Sequence, residues 1–172
     1  MDDLADVLIY VLDANVFIQA ARRYYAFDIV PAFWQALEHY ASEDRLLSID
    51  RVRQELDKGK DELANWANGS FHEWFDSTDD TGVVQAYAEL MQWAQAQGQY
   101  SDAAKEVFAS DRADAWLVAY AKAKGCTVVT HEQIDLRIKR KIPIPNVCQA
   151  FGISCLDTFE MLRALGVRLG GR

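Results

Sequence analysis

Four acidic residues stand where chemistry is easiest to place in this chain of 172 residues: Asp13, Glu55, Asp114 and Glu132. Asp13 ends the apolar run VLIYVL, with Asn15 two positions on. Glu55 lies in DRVRQELDK, directly after the short apolar stretch LLSI. Asp114 opens DAWLVAYAKAK, and Glu132 follows the apolar run CTVVT by two. Two bare carboxylates about 4 Å apart repel by ~4 kcal/mol at an effective dielectric near ~20. Four brought together could not all stay ionised without a counter-charge. A hard divalent cation, Mg²⁺ or Mn²⁺, supplies that charge through oxygen ligands and retained waters. Such ions activate water and stabilise a phosphodiester under attack. On this reading Asp13, Glu55, Asp114 and Glu132 are both metal ligands and catalytic residues. Asn15 is placed to orient Asp13 or to hydrogen-bond the scissile phosphate.

Each acid taken alone has a plainer reading. Asp13 could equally cap the helix that starts after it. Glu55 could be a solvated helix acid, although it borders the apolar face set by Val52 and Leu56. Asp114 could complement a helix dipole, although Asp111 is better placed for that. Only the four in this order, with elements that bring them together, carry weight.

Those elements can be read from the pattern of apolar residues. Residues 7–12 are continuous, β-branched and aromatic, as in a fully buried strand. LLSI (46–49), CTVVT (126–130) and ISCL (153–156) read as three more. Helices are expected over 16–23, from Pro31 onward with Phe33, Trp34 and Leu37 inward, over 50–58 ending at Gly59, over 61–67 and over 83–97. SDAAKEVF and PNVCQAFG each suit a short helix. The segment 110–125 reads as a helix with Ser110 as N-cap, Asp111 in its first turn, lysines in its last and Gly125 as terminator. Asp157-Thr158-Phe159-Glu160 has the spacing of a capping box. Strand and helix alternate, so the expected architecture is α/β, a mostly parallel sheet with helices on both faces. Sites in such sheets lie at the carboxyl ends of the strands. Asp13, Glu55 and Glu132 fall at that edge, and the helix carrying Asp114 starts there.

Bulk properties narrow the class. The chain is 51% apolar, with five Trp, seven Tyr and eight Phe. That is the composition of a folded domain, and the length suits a single one spanning 1–172. No apolar run reaches the ~18–20 residues that span a bilayer. The acidic start MDDLAD does not read as a secretory signal, so a cytoplasmic protein without membrane contact is expected. Cys126, Cys148 and Cys155 lack metal or redox spacing and read as reduced thiols. The net charge of −8 opposes broad electrostatic binding of nucleic acid and suits a cationic protein partner. The exception is RIKRK (137–141), whose Arg137, Lys139 and Arg140 could grip phosphates beside the site, or could form a solvated loop. Trp66, Phe71, Trp74 and Phe75 could stack on bases, but core packing is the stronger reading. His131 reads as an exposed loop residue.

The motifs resemble those of PIN-domain ribonucleases. LDANVFI is similar to the family's first motif, SIDRVRQEL to its second, RADAWLVAYAKAKG to its third and CTVVTHE to its fourth. DANVFIQA with RYYAFDIVPAFW, and IPIPNVCQAFGI, also resemble a PIN-like subfamily known only as a domain of unknown function, whose members are similar to VapC-type toxins. The resemblance implies a three-layer α/β/α sandwich. It implies an Mg²⁺- or Mn²⁺-dependent endoribonuclease, the toxin of a type II toxin–antitoxin module. RNA would be its substrate, a cognate antitoxin its partner and a homodimer its assembly. Asp13, Glu55, Asp114 and Glu132 take the acidic positions, Asn15 and Thr130 the polar accessory ones. Glu132 stands where many relatives have Asp. The chain exceeds a minimal PIN domain through an extended helical insertion at about 60–105. The alternative is a catalytically silent PIN-like protein that works by binding protein or RNA.

Overall fold

The computed structural model describes residues 7–110 and 112–170. Its centre is built from the apolar runs YVL, LLSI and TVV. They form β1 (Tyr10–Leu12), β2 (Leu46–Ile49) and β4 (Thr127–Val129); β3 (Phe75–Asp76) and β5 (Cys155–Leu156) complete the sheet. The spatial order is β3-β2-β1-β4-β5, and every pairing is parallel. Every residue of β1 and β4 is buried, which requires cover on both faces of the sheet. Nine α-helices among the described residues supply it: α1 (Ala14–Gln19), α2 (Pro31–Ser42), α3 (Asp50–Asp57), α4 (Glu62–Asn68), α5 (Thr81–Ala96), α6 (Asp102–Ala109), α7 (Ala113–Lys124), α8 (Ile144–Phe151) and α9 (Thr158–Leu165). The result is the expected three-layer α/β/α sandwich.

α7 is the central helix. Ala115 through Ala121 are all buried, so it is apolar almost all round, as a helix enclosed by other elements must be. It packs on β1, β2 and β4 and carries α5 on its outer side. Gly125 ends it in the left-handed conformation, φ +70°, which glycine adopts without steric cost. The aromatics of the middle region are core: Phe17, Trp66, Phe71 and Phe75 form one cluster, with Phe17 and Phe71 fully buried. Residues 60–105 contain β3, which pairs with β2, and α5, which covers α7.

Register sets the edge where the site must lie. Leu12 pairs with Val129, and Val129 with Leu156. Asp13 N–H donates to the Val129 carbonyl at 2.9 Å, and the buried Ser48 hydroxyl donates to the Leu12 carbonyl at 2.6 Å. Asp13, Thr130 and Asp157 therefore leave the sheet side by side, with Asp50 one residue further along.

Several boundaries differ from expectation. The first strand starts at Tyr10, not at residue 7. Val7 and Leu8 are 63% and 51% exposed, because β2 and β4 offer partners only from Leu46 and Thr127. The helix after Asp13 ends at Gln19 and continues as a wider π-helical turn, Ala20–Tyr24. The helix expected from Ser110 begins at Ala113 with Arg112 at its N-cap. Ser110 instead closes α6, its hydroxyl donating to the Val107 carbonyl, while Asp111 lies outside the described residues, as does MDDLAD. β3 was not expected, since two residues carry no periodicity. Asp157 caps α9 as the motif implied, accepting from Glu160 N–H at 2.8 Å. The three cysteines are free thiols. No helix among the described residues is long and apolar enough to cross a membrane.

Leu117 is fully buried at the centre of α7, whereas Val107 on α6 is 47% exposed. Leu117→Ala should cost about 2–5 kcal/mol of unfolding free energy, and Val107→Ala no more than about 0.5 kcal/mol. Urea denaturation followed by tryptophan fluorescence measures both.

Candidate active site

Asp13 sits at the N-cap of α1, but its side chain makes no capping hydrogen bond. It is 2% exposed, and its Oδ2 accepts from the Thr130 hydroxyl at 2.9 Å. Thr130 Oγ1 in turn accepts from Glu132 N–H at 3.1 Å. The segment after β4 is thus tied to the end of β1 through one hydroxyl. Between a cap and a buried acid facing the sheet edge, the geometry selects the second.

The other three acids come from α3, α7 and the segment after β4, and their charges reach Asp13. Burial, then Asp114, Glu132 and Glu55, push the Asp13 carboxyl up to about 8, with the Thr130 hydroxyl opposing. Asp114, in the first turn of α7, is raised to about 6 by burial, Glu132 and Glu55, with Lys141 and Arg112 opposing. The four carboxylates expected from separate parts of the chain are therefore near enough to perturb one another.

Two of them are also engaged in holding helices. α7 has no side-chain cap of its own, and Glu55 Oε1 accepts from Ala113 N–H at 3.3 Å. α8 likewise lacks one, and Glu132 Oε2 accepts from Ile144 N–H at 2.6 Å. An acid at a helix N-terminus satisfies an orphan donor and meets the positive end of the dipole. The other oxygen of Glu132 pairs with the Lys141 ammonium.

The donor set is all oxygen and suits a hard divalent cation. The raised carboxyl of Asp13 has the character of a group that a cation would discharge. Among the described residues, however, no three His, Cys, Asp or Glu side chains are gathered closely enough to hold one ion. The chemistry of the donors fits the ion.

Around the acids lie open clefts. One, of about 370 Å³, is lined by Arg112, Asp114, Arg140 and Lys141 with an apolar side from α6. Another, of about 490 Å³, contains Asn15, Arg23, Tyr24 and Glu132. A third, of about 470 Å³, contains Thr130, Glu132, Cys148 and Cys155. Asn15 is exposed at the cleft mouth beside Glu132. Arg137, Lys139 and Arg140 are all exposed; Arg140 lines the cleft that contains Asp114, and Arg137 and Lys139 line none of these three. His131 is half-buried, within 3.0 Å of the Thr158 hydroxyl and beside the rings of Tyr24 and Phe159, not exposed in a loop.

Lys141, the last of the RIKRK run and read with it as a phosphate-gripping cation, pairs instead with Glu132. Sequence reasoning overlooked two residues here. Arg112 precedes a helix and carries no local signal. Asn146 is buried in an apolar stretch. Its Nδ2 donates to the Tyr100 hydroxyl at 3.0 Å and the Asp135 carbonyl at 2.8 Å, and its Oδ1 accepts from Asp135 N–H at 3.0 Å. A lone Asn within IPNVC was the available clue.

Fold and edge together define an α/β protein with an acidic site at the carboxyl ends of its parallel strands. The chain belongs to the family described as Domain of unknown function (DUF4411), whose model matches residues 10–169. No curated protein matches it. Its fold is similar to that of a chain in the crystal structure of VapBC2 from Rickettsia felis bound to a DNA fragment from their promoter. The TM-score is 0.52 and the sequences are 16% identical; the match covers 87% of this chain and 98% of the other.

Asp13 keeps its proton in the folded state over a range in which the unfolded chain has released it. Metal-free stability should therefore fall as pH rises from about 4 towards about 8. Thermal unfolding in EDTA across that range should show a declining Tm. Asp13→Asn should flatten the decline and raise the Tm at its alkaline end. A wild-type profile with no decline would contradict the buried-acid description.

Proposed function

We propose that the protein is a divalent-metal-dependent endoribonuclease of PIN type and the toxin of a type II toxin–antitoxin module. One observation carries this reading: a buried Asp13 at the end of the central strand, its carboxyl raised first by that burial and then by three further acids that come from different elements. Among the described residues the Asp13 side chain accepts one hydrogen bond, from Thr130, and faces three like charges against the ammonium of Lys141. The motif resemblance supplies the reaction class. The similarity to the VapBC2 structure supports an antitoxin partner.

In this reading Asp13 and Asp114 hold Mg²⁺ or Mn²⁺, with Glu55 and Glu132 completing the donor set. The ion, when bound, neutralises the carboxylates and provides Lewis-acid activation for phosphodiester hydrolysis. Thr130 fixes the rotamer of Asp13 by its hydrogen bond. Asn15 meets the substrate at the mouth of the neighbouring cleft. The caps from Glu55 and Glu132 hold the starts of α7 and α8 against the site, so Asp114 and the segment before α8 are positioned before substrate arrives.

A second reading has a specific observation in its favour. The acids are not gathered into an ion-holding group among the described residues, and both oxygens of Glu132 are engaged. That state suits a silent PIN-like binding protein.

Incubation of the purified protein with total bacterial RNA separates the two readings. With Mg²⁺ or Mn²⁺ the wild type should make discrete cuts that disappear in EDTA and with Asp13→Asn. Thr130→Val, which removes the support of one carboxylate, should reduce cutting by about 10–100-fold. Absence of cutting together with absence of Mn²⁺ binding by calorimetry would favour the binding protein.

A further inference from the structure

Two thiols that take no part in the proposed site stand together beside it. Cys148 lies on α8 and Cys155 opens β5. Between them the chain reverses. Gly152 ends α8 in the left-handed conformation, φ +68°, and Ile153 N–H donates to the Cys148 carbonyl at 2.8 Å. β5 then pairs with β4, Cys155 opposite Val128. The reversal brings the strand back against the helix, and the two thiols share a hydrogen bond. That bond holds the proton on Cys148 and draws Cys155 below its ordinary value, against the opposing effect of burial. Both line the cleft of about 470 Å³ that contains Thr130 and Glu132. Cys148 is buried and Cys155 half-buried. The third thiol differs in each respect: Cys126 is buried, lines other clefts, and is pushed up to about 11 by that burial.

We propose that Cys148 and Cys155 are a redox-active pair, a site at which a peroxide forms a reversible disulfide between α8 and β5. Cys155 reacts first, because it is the thiol more open to the cleft and closer to the thiolate form. Its thiolate attacks one peroxide oxygen, the O–O bond breaks, and a sulfenic acid and hydroxide result. The Cys148 sulfur then attacks the sulfenic sulfur, the S–O bond breaks, and the departing hydroxide leaves with the Cys148 proton as water. The two sulfurs together lose two electrons, and one peroxide becomes two waters. A thiol reductant returns the pair by exchange. Little backbone movement separates thiols already in hydrogen-bond contact from a disulfide. The bond would tie α8 to β5 one turn beyond Ile144, whose N–H is held by Glu132. The proposal does not depend on the ribonuclease reading and stands whether or not the edge holds a metal.

Peptide mapping after mild oxidation is the test. The full chain is treated with hydrogen peroxide, denatured, alkylated with iodoacetamide without reductant and digested with trypsin. Residues 142–163 emerge as one peptide carrying both cysteines, while Cys126 falls in another. In untreated protein all three cysteines should be alkylated. After peroxide the 142–163 peptide should be unalkylated and lighter by two hydrogens, Cys126 should still be alkylated, and dithiothreitol should reverse the change. Cys126→Ser should leave the product and its rate unchanged. Cys148→Ser should stop the reaction at a Cys155 sulfenic acid that dimedone traps, and Cys155→Ser should react with peroxide at least about tenfold more slowly. The wild-type map needs no substitution, so it decides even where a variant does not fold. The pair is overturned if the 142–163 peptide stays doubly alkylated at peroxide concentrations that oxidise Cys126. It is overturned if the disulfide joins Cys126 to either partner or links two chains, or if a Cys155 sulfenic acid persists in the wild type beside a free Cys148.

Discussion

A carboxylate enclosed at the end of a central parallel strand is the constraint on which this molecule turns. Asp13 follows Leu12 in the middle of the sheet and is covered on all sides. Its backbone N–H is tied to β4 through the Val129 carbonyl. Among the described residues its one side-chain donor is Thr130, so its charge must be managed by whatever else the fold brings to that edge. The fold brings three more acids, and the proton on Asp13 becomes hard to remove. Desolvation and like charge act in the same direction here, and the opposite charge of a bound cation would offset them.

Two of the neighbouring acids, Glu55 and Glu132, reach helix starts. α7 and α8 each begin without a side-chain cap of their own. Glu55 and Glu132 supply those caps from 58 and 12 residues away. Charge that would be costly beside Asp13 is thereby set against helix dipoles, with the ammonium of Lys141 taking the remaining oxygen of Glu132. Helix packing and site electrostatics are consequently one problem: anything that draws Glu55 or Glu132 toward a cation also loosens a helix start.

Braces of the same kind hold the loop between β4 and α8. Asn146 is buried with three hydrogen bonds, the arrangement in which a polar side chain specifies a backbone conformation without a desolvation penalty. That loop carries Glu132 at one end and the basic run at the other. A single buried amide thus ties the middle of that loop, at Asp135, to the start of α8.

Much of this was legible in the chain itself. Buried strands announce themselves as continuous apolar runs, so YVL, LLSI and TVV were readable, and Gly125 and Asp157 marked helix ends through local backbone chemistry. The alternation of elements implied parallel strands, and parallel strands imply a shared carboxyl edge; Asp13 and Glu132 follow from that alone. Other features depend on contacts between distant residues, and local patterns do not encode them. Ser110 had the chemistry of an N-cap, yet the hydroxyl bonded backward and closed α6. β3 is too short for any period and exists because Ser48 and Ile49 offer it partners. Arg112, Lys141 and Asn146 acquire their roles only when α6, α7 and the segment before α8 meet. The sequence by itself determined which residues carry charge and which runs seek burial, because those are properties of side chains and short periods. Only the tertiary structure decided which carboxyl is buried, which acids cap helices and which cations face the cleft, because electrostatic neighbourhood is a matter of distance in space, not along the chain.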